Sequence, residues 1–374
     1  MRPNPYIDYT DALAAIPSDR RRALKPASAA IKYNFSSNDY LGLSQHPAVR
    51  AAAIAATQNA GAGAGAARLI TGNHEYFEET EAALALLKKT EAALLFGSGY
   101  LANATALPAL LSTGTWQVLV DRLAHRSLLD GVMNSGAAWS RFRHNDMNHL
   151  SDKAESAVAA GYRPFIVVES VYGMDGDTAD AAALFEIKQR TGALIYADEA
   201  HATGVLGIGG AGLLSGVADI ILGTCGKALG NFGAFIAAKR VVVDYLIQFC
   251  PGFIYATGLP PGVVAGTEAA VRLLPEMESA RASLLQRADT VRIKAQAAGF
   301  QAGNSTTHII PLLCGSDARA LKLAAHLTAQ GCIATAIRPP TVPEGSARVR
   351  LSLSTTLTDA AYTALFDGLE RCDF

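Results

Sequence analysis

Five short apolar runs between Trp116 and Ala238 constrain this chain more than any other feature: WQVLV, PFIVVE, ALIYAD, ADIILGT and GAFIAA. The segments between them are helix-like or Gly-rich, so the pattern reads as a βα alternation and a mostly parallel sheet. Polar residues gather at the carboxyl ends of the runs. The first leads through Asp121 to His125, the second ends at Glu169, the third at Asp198 and His201, and the fourth at Thr224 and Lys227. Singly, each marks a strand meeting solvent. Together they lie at the edge where open parallel sheets bind ligands, and they form a candidate site.

With 374 residues, 50% hydrophobic and 17% charged, the chain can bury a large core, and its length predicts two lobes. The seam falls near Leu259-Pro260-Pro261-Gly262, giving an arm over residues 1–45, a large domain over 46–265 and a small domain over 266–374. A net charge of −1, with one tight basic cluster at Arg20, Arg21 and Arg22, offers no footprint for nucleic acid. The start, Met1 to Pro5, carries no apolar leader, and no apolar run reaches the roughly 18 residues that a membrane span needs. The expectation is a cytoplasmic protein. Five widely spaced cysteines without a C-x-x-C pair read as reduced thiols.

Outside the central alternation, residues 78–96 predict one amphipathic helix, with acids early and lysines later. A long helical stretch from about Gly266 to Ala298 follows the seam. Next come an apolar run at Ile309 to Leu313 and a helix opened by Ser316 or Asp317 and stopped near Gly331. In Arg348-Val349-Arg350-Leu351-Ser352-Leu353 the alternation puts Val349, Leu351 and Leu353 on one face and both arginines on the other. A last helix starts near Thr358.

Two Gly-rich stretches, GAGAGAAR at 61–68 and GIGGAG at 207–212, lack the strand–turn–helix setting of a dinucleotide fingerprint and read as turns that let backbone pass close to a cofactor or a partner subunit. His144 and His149 do not share a helix face, H-E-x-x-H is absent, and no metal site is expected. G-x-S-x-G is also absent, which disfavours a serine hydrolase. What remains is Asp198-Glu199-Ala200-His201 at one strand end and Lys227 in GTCGKALG after the next. A desolvated lysine amine is nucleophilic toward a carbonyl, and a carboxylate facing a pyridinium nitrogen makes the ring an electron sink. An ordinary Lys–Asp ion pair reads equally well from these two residues alone.

The blocks NFSSNDYLGLS, LLFGSGYLAN, DRLAHRSLLDG, RFRHND, ESVYGMDGD, DEAHATGVLG, GTCGKALG, FIYATGLPP and RVRLSLS run in one order from about Asn34 to Leu369. In them the chain resembles the α-oxoamine synthases, and chance agreement over so many ordered blocks is negligible. The resemblance implies an α/β protein of the pyridoxal-phosphate-dependent transferase fold type I. In that fold a mostly parallel central sheet has helices on both faces and a smaller α+β C-terminal domain. It implies pyridoxal 5'-phosphate (PLP) as cofactor, held covalently by Lys227, which also serves as base. Asp198 would face the pyridine nitrogen, His201 the phenolic oxygen and His125 the ring face, and Glu169 belongs to the cofactor-binding set. Gly99, Tyr100, Thr224 and Thr257 of a second subunit would hold the phosphate, in a homodimer with shared sites. Asn38 and Arg350 would bind the substrate carboxylate. Arg21 is a candidate contact for a distal carboxylate or carrier, beside the alternative of an exposed solubilising cluster.

Within the family, IRPPTVPEGSARVRLSLS at 337–354 resembles the biotin-pathway branch, which condenses L-alanine with a pimeloyl thioester carried on coenzyme A or an acyl carrier protein. A sister synthase using glycine or serine, such as 2-amino-3-oxobutyrate ligase, and a non-catalytic relative are the alternatives. The chain departs from the family at Gly173, where a serine is usual, and at Phe77 and Leu357, where histidines are usual. It departs also at Ala256 and Gly258, where hydroxyls are commoner. These positions bear on cofactor tuning and acyl-substrate details.

Overall fold

The computed structural model describes residues 6–17, 20–22, 24 and 32–372. Of the arm expected over 1–45, residues 1–5, 18, 19, 23 and 25–31 therefore lie outside the described residues, and with them the reading of the chain's start.

All five apolar runs form strands of one seven-stranded sheet. Its spatial order is Ala92–Phe96, Ala234–Ala238, Ile220–Thr224, Leu194–Asp198, Arg163–Glu169, Trp116–Asp121, Ala138–Phe142. Four of the runs pair in parallel, and Ala234–Ala238 runs antiparallel to both neighbours. Helices cover both faces of this sheet, so its inner strands are apolar on both sides and nearly every residue of Phe165–Glu169, Ile195–Asp198 and Ala234–Ala238 is buried.

One expectation needs correction. Residues 78–96 are not a single helix: the helix Tyr76–Lys88 stops where Lys89 turns left-handed (φ 57°), and Ala92–Phe96 leaves as a strand of the sheet. Helical spacing continued past the break because AALLF is apolar at every position, and a fully buried strand has no alternation to reveal it. The stretch expected as one helix after the seam is likewise divided. Pro261–Leu273 and Glu278–Ala297 are joined by a 3-10 turn that contains Pro275, whose missing N–H ends the first helix. The expected domain boundary falls inside Pro261–Leu273.

Toward the C-terminus, Ile309–Gly315, Thr335–Ile337 and Ala347–Ser352 form a three-stranded antiparallel sheet backed by Asp317–Ala329, whose N-cap is Ser316. Val349, Leu351 and Leu353 are fully buried, as the alternation requires. The segment Tyr33–Leu43 joins the lobes. Tyr33–Asn34 pairs in parallel with Cys332–Ile333, the Phe35 carbonyl accepts the Ser352 N–H (2.7 Å), and Phe35, Tyr40, Leu41 and Leu43 enter the shared core.

The GIGGAG stretch finds its neighbour inside the same chain. Lys88 and Glu199, both with no exposed side-chain surface, form an ion pair of 2.6 Å. Lys88 Nζ also donates to Thr203 Oγ1 (2.8 Å) and to the Ala211 carbonyl (2.7 Å), while Glu199 Oε1 accepts the Leu214 N–H (2.7 Å). The glycine loop wraps this pair so closely that a Cβ on Gly212 (φ 97°) would lie 2.0 Å from Glu199 Oε2. Burial lowers the Lys88 pKa and Glu199 opposes it. Removing one partner strands a charge, so Lys88→Met is expected to cost about 3 kcal/mol or more in urea unfolding. The double variant Lys88→Met/Glu199→Leu should recover most of that loss. A single variant as stable as the parent would contradict the pairing.

Candidate active site

Parallel pairing brings the polar strand ends into one row. Glu169 stands in register with Asp198, and Asp198 with Leu222, which precedes Thr224 on the next strand. Lys227 follows in the connection to Ala234–Ala238 and is half-buried. Desolvation lowers its pKa from the ordinary lysine value, the carboxylates of Asp198 and Glu169 oppose the shift, and Arg350 adds to it. The Glu169 carboxyl is pushed up to about 8, first by burial and then by Asp198. Its Oε1 accepts the backbone N–H of His125 (2.7 Å), the residue that caps the helix Arg126–Asn134. Asp198 is buried, with Oδ2 accepting from Asn103 Nδ2 (2.8 Å) and Oδ1 from the Ala200 N–H (2.9 Å).

A second chain of hydrogen bonds enters from the arm and the C-terminal sheet. Arg350 Nη2 donates to Asn38 Oδ1 (3.0 Å), Tyr40 Oη donates to the same oxygen (3.1 Å), and Tyr40 Oη lies 2.6 Å from His201 Nδ1. Burial, then the charges of Lys227 and Arg350, hold His201 well below its ordinary pKa, so it is neutral. His308 packs edge-on against Tyr40 (4.0 Å) and is fully buried. Gly173 has a steric reason: a Cβ there would meet His201 Nε2 at 2.4 Å, so the imidazole occupies the space a serine would need. Of the other departures, Phe77 is buried, stacked on His74 (4.3 Å) with the Arg68 guanidinium over its ring (3.8 Å), and Leu357 is buried.

Gly99 and Tyr100 open the helix Gly99–Leu111, capped by Ser98, and their N–H groups lie in the first turn, which no carbonyl of the helix reaches. Thr224 stands against this turn, and a Cβ on Gly99 would come within 2.9 Å of Thr224 Cγ2. The Tyr100 hydroxyl is bonded to Asp130. Two expected residues stay apart from this cluster. Thr257 is exposed and bridges to Ala67, and Arg21 donates to the Leu13 carbonyl (2.8 Å) while Arg20 pairs with Asp317 and Glu344 (both 2.9 Å).

The donor set suits a phosphorylated pyridine aldehyde: a desolvated amine, a carboxylate held at both oxygens, and a helix N-terminus beside a threonine hydroxyl for the phosphate. Arg350 Nε is buried without a hydrogen-bond partner, which suits an added carboxylate. Among the described residues no group of three His, Cys, Asp or Glu is placed to hold a metal ion, and no helix is long and apolar enough to cross a membrane.

Sequence reasoning passed over Tyr40, Asn103, Ser127 and His308, and weighed His144 only as a metal ligand. Tyr40 and Asn103 stand inside quoted blocks, but nothing in their spacing says which atom they reach. His144 spans two carboxylates, with Nδ1 2.9 Å from Asp121 and Nε2 2.8 Å from Asp177. It ties the Asp121 strand end to the loop that carries Gly173. Burial alone would lower its pKa, but hydrogen bonds to Asp121 and Asp177 outweigh it and push the value up to about 10.

Residues 30–369 match the family described as Aminotransferase class I and II. A curated relative, 8-amino-7-oxononanoate synthase of Gluconacetobacter diazotrophicus, is 49% identical over 90% of this chain and 87% of its own length. A solved structure of SPT with its PLP internal aldimine shares the fold at a TM-score of 0.90, with 24% identity and 98% of each chain covered. The crystal structure of 8-amino-7-oxononanoate synthase from Francisella tularensis aligns at 0.76, with 25% identity over 91% of this chain and 97% of that one.

The His144 latch carries a pH signature. Its folded pKa lies above the unfolded value of about 6.5, so its stabilisation is full below that pH and is lost as pH rises toward about 10. His144→Gln should therefore be clearly less stable than the parent near pH 6, with the gap closing toward pH 10 (both pH values approximate). A gap in unfolding midpoint that stays constant across this window would refute the latch.

Proposed function

The chain belongs to the class I and II aminotransferase family, and we propose that it condenses L-alanine with a pimeloyl thioester to give 8-amino-7-oxononanoate, carbon dioxide and the free thiol. It is a PLP-dependent acyltransferase of the kind its curated relatives are named for. The observation that carries this reading is the row of strand ends at the carboxyl edge of the sheet, where Glu169 stands in register with Asp198 and Lys227 follows the neighbouring strand Ile220–Thr224. Bound at that edge, PLP supplies an electron sink for the carbanion formed at the amino acid Cα.

The rest of the chemistry belongs to the chain's own residues. Lys227 would hold the cofactor, and its amine, with a pKa lowered by desolvation, would take the proton from the alanine Cα. Asp198, fixed at both oxygens, keeps the ring nitrogen protonated. Gly99, Tyr100 and Thr224 hold the phosphate, with Thr257 entering from a second copy of the chain. Arg350 and Asn38 orient the substrate carboxylate, the Arg350 fork having an unused N–H for it. His201, tied to Tyr40 through Nδ1, would lie near the phenolic oxygen of the bound cofactor. A C–C bond forms between alanine Cα and the acyl carbonyl carbon as the C–S bond breaks and the thiol leaves. Carbon dioxide then departs from the same Cα, and a proton from Lys227 replaces it.

The test is a product assay by mass spectrometry with L-alanine, glycine and L-serine, each against pimeloyl-coenzyme A, the pimeloyl acyl carrier protein and palmitoyl-coenzyme A. L-Alanine with a pimeloyl thioester should be at least about tenfold faster than any other pairing, since an ill-fitting methyl or hydroxymethyl group costs about that much discrimination. The ratio between the two pimeloyl carriers identifies the donor. A preference for glycine, or for serine with the palmitoyl donor, would move the chain to a sister activity.

A further inference from the structure

Asn103 lies on the second turn of the helix Gly99–Leu111, is 1% exposed, and stands behind two of the groups that face the cofactor. Both ends of its carboxamide are bonded, and both Nδ2 hydrogens are used. Oδ1 accepts from the buried Tyr196 hydroxyl (2.7 Å), and that bond fixes which end of the amide carries the hydrogens. Nδ2 then donates twice, to Asp198 Oδ2 (2.8 Å) and to Ser127 Oγ (3.0 Å). Ser127 Oγ lies 2.7 Å from His125 Nδ1, which also accepts the Ser127 backbone N–H (3.3 Å).

The direction of these bonds follows from counting protons. Ser127 Oγ accepts from Asn103 and has a second lone pair to offer the ring, but the Ser127 backbone N–H can only donate and is aimed at His125 Nδ1 (3.3 Å), so the hydroxyl hydrogen points at that nitrogen too. A ring nitrogen that receives both a hydroxyl and an amide hydrogen carries none of its own, so His125 is held with Nδ1 bare and the proton on Nε2. We propose that Asn103 is a positioning residue that sets two things at once: the orientation of the Asp198 carboxylate and, through Ser127, the tautomer and ring plane of His125. One amide thereby aligns the group that faces the ring nitrogen with the group that faces the ring itself. Desolvation of His125 acts in the same direction by disfavouring its charged form. The inference rests on the cofactor reading for what the two groups face, and it is independent of which amino acid or thioester is used.

The test uses cofactor-loaded protein labelled with ¹⁵N-histidine and no substrate. In the parent, the two ring nitrogens of His125 should be widely separated in chemical shift, as a single Nε2–H tautomer requires. Ser127→Ala, which removes only the hydroxyl, should shrink that separation while leaving the visible absorption of the cofactor in place. Asn103→Ala should shrink it and also shift the absorption, because the Asp198 arm is lost too. Ser127→Ala alone keeps the His125 arm testable if Asn103→Ala fails to fold. Unchanged His125 shifts in Ser127→Ala would overturn the proposal. So would an Asn103→Ala protein that loses turnover with both spectra unaltered, since that outcome leaves Asn103 a merely structural part.

Discussion

A carboxylate at the end of a central strand, shielded from water and required to face one way, is the constraint around which this molecule is arranged. Asp198 and Glu199 are consecutive, and because neighbours in an extended chain point oppositely, one faces the site and the other the core. Each is therefore buried and each must be satisfied separately. Asp198 is met by Asn103 and the Ala200 N–H, and Glu199 by Lys88 and the Leu214 N–H. The glycine loop at 207–212, the end of the helix Tyr76–Lys88 and the start of the helix Gly99–Leu111 are all placed by those partners. A fault in either set would disturb the row of strand ends on which Lys227 depends.

The C-terminal lobe is tied to the same edge by both arginines of its middle strand. Arg348, buried, bonds Asp175 and the Met174 carbonyl, while Arg350 reaches Asn38. Thr307 Oγ1 donates to the Gly176 carbonyl (2.9 Å), and a Cβ on Gly176 would strike the Ile309 carbonyl oxygen at 2.0 Å. The loop 173–177 is thus gripped by the small lobe on one side and, through Asp177 and His144, by the sheet on the other. His201 sits against Gly173 on this loop, so the position of the lobe and the position of the imidazole are mechanically linked.

Much of this was legible in the residues. The five apolar runs gave the sheet, their polar ends gave the edge where Glu169 and Asp198 stand in register, and the alternation in RVRLSL gave the buried face of Val349 and Leu351 opposite two arginines. The strand Ala92–Phe96 was hidden because a run buried on both faces has no period. The strand Ala138–Phe142 was hidden because an exposed edge strand such as AWSRF carries no apolar signature. Asn103, Tyr40 and His144 escaped for another reason: their roles are set by contacts spanning 95, 161 and 33 residues, which no local pattern encodes. Gly173 looked like a lost hydroxyl in the sequence and is a steric requirement of His201 in the fold.

The central claim is that Lys227, and no other amine, carries the cofactor opposite Asp198. Borohydride reduction of the cofactor-loaded protein, followed by proteolysis and peptide mass spectrometry, tests it most directly. The account predicts a single pyridoxyl adduct, on Lys227, in the peptide containing GTCGKALG. An adduct on Lys88 or on a surface lysine, with Lys227 unmodified, would contradict it.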